Sequence, residues 1–181
     1  MRKADNNLLI KHLSGFLLVL FLISGCSYQS VRHLQRQRWS LNTTKTLEMK
    51  YLKFKYNCKQ LDSHLRVAGT AFPKKEVIPE WASWTKEIWL GVYISDQNAK
   101  VIAKEIHVLA PNKFKPNQGF NFQMALEPHN MGSPGPLFIT FGYRLVLTDH
   151  KVKDSIHQKG CKAFSEKEKV FFASESALTK F

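Results

Sequence analysis

The stretch LFITFGYRLVLTD, residues 137–149, decides how the chain reads. Leu137, Ile139, Phe141, Tyr143, Leu145 and Leu147 fall at every second position, with Phe138, Thr140, Gly142, Arg144 and Val146 between them. A period of two puts alternate side chains on opposite faces of an extended strand, and a period of 3.6 would be needed for a helix face. One apolar face thus requires a second layer to cover it.

The same alternation recurs upstream. In KEIWLGVYIS, residues 86–95, Ile88, Leu90, Val92 and Ile94 share one face, and Trp89, Gly91 and Tyr93 share the other. DQNAK supplies turn chemistry, and VIAKEIHVL, residues 101–109, returns as the second strand of a hairpin. FNFQMALE sets Phe120, Phe122, Met124 and Leu126 against Asn121, Gln123 and Ala125. LEMKYLKFKYN slips phase near Tyr51 and Leu52, which reads as a bulge, and LDSHLRVAGTAF follows with Leu61, Leu65, Val67, Gly69 and Ala71 in phase. PKKEVIPEWASWTK is a loop with one helical turn expected at 80–84, and KVFFASES is a final edge strand. Six or seven strands separated by turn signals, with no long helical period, predict an all-β, antiparallel two-sheet sandwich. Its general form resembles immunoglobulin-like and fibronectin-like sandwiches, and a small barrel is the competing architecture.

The N-terminus follows different rules. Arg2 and Lys3 precede an apolar run from Leu13 to Ile23, about half the length that crosses a bilayer. A basic start, a short apolar middle and small residues at its end form a secretory signal. Ile23-Ser24-Gly25-Cys26 resembles the lipobox of bacterial lipoproteins. The resemblance covers the first 26 residues and implies cleavage before Cys26, a diacylglycerol on its thiol and frequent acylation, such as palmitate, of the new amino group. Ser27, in the position where aspartate often marks inner-membrane retention, implies an outer-membrane location facing the periplasm of a Gram-negative envelope. The expected organisation is a signal peptide over 1–25, a lipidated cysteine and polar tether over 26–46, and a β-sandwich over 47–181.

The charge is +13 over the whole chain; losing Arg2, Lys3, Lys11 and Asp5 with the signal leaves +11. A basic surface near a membrane invites anionic partners, here envelope polymers or lipid headgroups, and export argues against nucleic acid. After Cys26 is lipidated, Cys58 and Cys161 remain, and an oxidising compartment favours pairing them; two buried thiols are the alternative. No spacing supports a redox C-x-x-C.

No G-x-S-x-G elbow, H-E-x-x-H or acid/base pair is present, so the chain reads as a non-enzymatic binding or assembly module for an envelope protein complex or an anionic envelope polymer, without a cofactor beyond its lipid. Its binding-face candidates are Trp81, Trp84, Trp89 and Tyr93, because Trp and Tyr concentrate at interfaces; burial of these side chains under the tail or the Pro-rich loop is the alternative. A copper carrier or sensor using His129 and Met131 is the rival function, since His and Met ligate copper.

Overall fold

The structure is a computed structural model that describes residues 27–61, 64–127, 135–151 and 168–180. It is all-β: antiparallel sheets, none closed, and no α-helix among the described residues. The strands in chain order are β1 (Tyr28–Ser30), β2 (Gln37–Arg38), β3 (Thr44–Glu48), β4 (Leu52–Leu61), β5 (His64–Pro73), β6 (Trp84–Ser95), β7 (Val101–Leu109), β8 (Asn112–Lys113), β9 (Phe120–Leu126), β10 (Phe138–Thr148), β11 (Val170–Glu175) and β12 (Leu178–Lys180).

The larger sheet runs β11-β10-β6-β7, with β2 added to β10 and β8 to β6. The smaller runs β3-β4-β5-β9, and β1 pairs with β12 as a separate ribbon. β10 is an interior strand of the larger sheet and pairs with β6 along its whole length, Phe138 opposite Ser95 and Thr148 opposite Trp84. Its inward residues Ile139, Phe141, Tyr143, Leu145 and Leu147 are fully buried, as are Ile88, Leu90, Val92 and Ile94 of β6.

Aromatic side chains join the two sheets. Phe141 of β10 stacks on Phe54 of β4 with ring centroids 4.3 Å apart, and meets Tyr56 at 4.9 Å and Phe122 of β9 at 5.6 Å. Such offset and edge contacts each add about 0.5–1.5 kcal/mol to simple burial. At the rim, the Tyr143 hydroxyl donates to Glu175 Oε2 at 2.7 Å and accepts the Tyr51 N–H at 3.3 Å, while the Lys50 N–H donates to the same carboxylate oxygen at 3.0 Å. The last residue of β11 is thereby tied to the β3–β4 turn. Gly69 lets β4 and β5 close up: a Cβ there would lie 2.2 Å from the Lys55 carbonyl oxygen.

Three sequence expectations change. The phase slip at Tyr51–Leu52 is a turn rather than a bulge, closed by the Met49 N–H on the Leu52 carbonyl, so one expected strand is the β3–β4 hairpin. The 310 turn in the Pro-rich loop is at Lys75–Val77, ahead of the expected 80–84. Above all, 27–46 is not a tether. β1, β2 and most of β3 lie in it, and Ser30, Val31 and Leu34 are buried. Its polar composition hid this because very short strands carry too few residues to show a period, and their pairing is supplied by β10, β12 and β4. The expected signal segment 1–25, with Cys26, lies outside the described residues.

Candidate interaction surface

The outer face of the larger sheet is set by register. Across it, Trp89 of β6 stands between Arg144 of β10 and Val108 of β7. One row along, Gly91 stands between Gly142 and Ile106; one further, Tyr93 stands between Thr140 and Lys104. The two facing glycines leave a trough, and the Tyr93 ring fills it: a Cβ on Gly142 would be 2.7 Å from a Tyr93 ring carbon, and one on Gly91 3.4 Å from its hydroxyl.

Both ends of the described chain close over Tyr93. The backbone of Ala177 hydrogen-bonds its hydroxyl, and β12 continues from there to pair with β1. The Thr140 hydroxyl donates to the Gln35 carbonyl at 2.6 Å, drawing the 31–35 segment across the same end. Tyr93 is therefore 3% exposed, and burial holds its phenol above the ordinary tyrosine range. As a binding-face residue Tyr93 is corrected to a core residue of this second, smaller apolar layer.

The other three aromatic candidates do not form one patch with it. Trp81 packs half-buried against the core. Trp84, also half-buried, is at the opposite end of β6, with the Lys151 ammonium 5.5 Å above its ring. Only Trp89, half-buried, faces the open part of the sheet.

What surrounds Trp89 was not singled out from sequence. Val108 is 70% exposed, Ile106 44% and Phe172 of β11 57%. Arg144 links the two sides: its guanidinium lies 5.2 Å from the Phe172 ring centroid and its Nε 2.9 Å from Glu87 Oε1. Residues 104–108 of β7 are all exposed, on both faces, although β9 of the smaller sheet comes close to the strand. Beyond the single bridge from Lys100 to Ser30, β7 has a ladder only to β6 among the described residues, so one row of its backbone N–H and C=O groups is free. Lys104 and Glu105 set charges among the apolar residues, the usual protection of an open edge. The signal available in sequence was the hairpin register, which sets Val108 opposite Trp89 and Ile106 opposite a glycine.

Cys58 is a buried free thiol, and burial pushes it up to about 12, so at neutral pH it is neither a nucleophile nor a thiolate ligand. Its expected partner Cys161, the lipidation candidate Cys26, and the copper candidates His129 and Met131 lie outside the described residues. Among the described residues no three His, Cys, Asp or Glu side chains gather as metal ligands. The chain matches no protein-family model, no curated protein and no solved structure.

Proposed function

We propose that the protein is a lipid-anchored envelope component, held at Cys26, whose two-sheet sandwich of immunoglobulin-like general form serves as a docking module for an envelope protein. The Phe54–Phe141 stack between the sheets supports the sandwich, and the Ile23-Ser24-Gly25-Cys26 stretch supports the anchor. The observation that carries the docking role is the free edge of β7, with Ile106 and Val108 exposed beside Trp89. An edge strand offers main-chain hydrogen bonds to an added strand, and the alternate side chains select it. The apolar row Trp89–Val108 and the neighbouring Ile106 would receive alternate apolar residues of an extended partner segment, while Lys104 and Glu105 set its charge register.

The role is non-enzymatic on this reading and needs no cofactor beyond the lipid. Its test is substitution: Val108→Lys and Ile106→Lys keep the fold, because both side chains already face water, and abolish association with the partner. Retained association in both variants would remove the β7 edge from the function.

A further inference from the structure

The chain enters the fold almost at once after the cysteine that the lipobox marks. Tyr28 is already paired with Lys180, and Ser30 with Leu178. Only Ser27 stands between Cys26 and β1. Two residues reach at most about 7 Å, against roughly 70 Å for the twenty-residue tether that the composition implied. A domain leashed this closely stays beside the leaflet but can still swing about its leash, so its orientation depends on what the end around β1 carries.

That end is cationic. Ser27, Tyr28 and Gln29 line an open cleft of about 460 Å³ together with Lys100, Lys104 and Glu127. Lys180 is beside Tyr28 across the ribbon, and the Lys100 ammonium is 5.9 Å from the Tyr28 ring centroid. Two carboxylates are close by, Glu127, 3.0 Å from His64, and Asp96, which accepts the Lys100 N–H at 2.9 Å, and the three lysines outnumber them. Lys100, Lys104 and Lys180 are all exposed, as are the apolar side chains of Tyr28 and Leu178 next to them.

We infer that this end is a membrane-docking surface, with Lys100 and Lys180 on the phosphates of anionic phospholipid headgroups, Lys104 adding to the field behind them, and Tyr28 and Leu178 at the interface. It rests on the lipid-anchor reading. Each lysine near an anionic surface raises the attraction roughly fivefold, and the short leash holds Lys100 and Lys180 nearest to it, on the scale of the Debye length, about 8 Å at physiological salt, with Lys104 about 13 Å farther along β7. β6 then stands away from the bilayer, its Trp84 end roughly 35 Å farther out at strand rise, and β7 presents its free edge on the flank.

The test uses the full-length lipidated protein in vesicles of phosphatidylglycerol and phosphatidylcholine, in a Cys161→Ser background. Spin labels are attached at Gln97→Cys, in the β6–β7 turn, or at Gln118→Cys, near the far end of β6; both native side chains are exposed. Nickel chelated to lipid headgroups is the relaxation probe, and mass spectrometry reads the N-terminus. Docking predicts strong relaxation at position 97 and little at 118, with the contrast lost in K100E/K104E/K180E although the protein stays vesicle-bound. Equal relaxation at the two sites with lipid present on Cys26 overturns docking and leaves the anchor intact. An unmodified Cys26 overturns the anchor and the docking with it. A contrast that survives the triple charge reversal shows that the leash alone sets the orientation and overturns the headgroup contacts.

Discussion

Gly142 shows how one residue governs a surface. Its missing Cβ accommodates the Tyr93 ring, and the Glu175 carbonyl oxygen would be 2.9 Å from that Cβ. Gly142→Ala is expected to cost about 1–3 kcal/mol by overpacking, read by denaturant unfolding, and to loosen the 176–180 segment that covers Tyr93. Phe141→Ala removes three aromatic contacts in the centre of the core and should cost about 3–5 kcal/mol. Cys58 makes a pH prediction. The folded state keeps the thiol neutral up to about 12, whereas an unfolded thiol ionises near about 8.5. The unfolded state therefore releases its proton first, so this stability is fully present below about pH 8.5 and is lost as pH rises toward 12. Tyr56 and Tyr143, both raised by burial, act in the same direction at higher pH. Unfolding midpoints should fall steadily above about pH 9, and Cys58→Val should lose less over the same range. Native Cys58 should resist maleimide at neutral pH and react once unfolded; equal reactivity in both states would contradict its burial.

At the scale of elements, the long strands were legible and the short ones were not. β6, β9 and β10 alternate cleanly because one face meets the core and the other meets water or a thin second layer. β1 and β2 could not be read: three and two residues hold no period, and their positions come from partners 150 and 100 residues away in the chain. The candidate site was half legible. Trp89 and Tyr93 were correctly placed on one face by parity, yet burial separates them, because the segments that cover Tyr93 come from both ends of the described chain. Ile106 and Val108 read as ordinary strand residues; only the sheet order, which leaves β7 at an edge of the larger sheet, makes them surface. Their lysine variants should thus change stability by less than about 0.5 kcal/mol, measured by the same unfolding experiment, while the Gly142 and Phe141 variants fall well outside that range.

For the molecule as a whole, the account joins three surfaces. The end around β1 and β12 carries Lys100, Lys104 and Lys180, the joined sheets supply rigidity through the Phe141 cluster, and among the described residues the outer edge of β7 has no strand partner. Under the proposed lipid anchor, the β7 edge would be suited to pair with a neighbour that shares the same membrane surface. The most direct measurement is in-cell photo-crosslinking from position 108, with the adduct mapped by mass spectrometry. The account predicts one recurrent protein partner, joined through a single extended segment and lost when Ile106→Lys is added. Crosslinks confined to this chain, or adducts unaffected by that substitution, would contradict the β7 edge as the docking site.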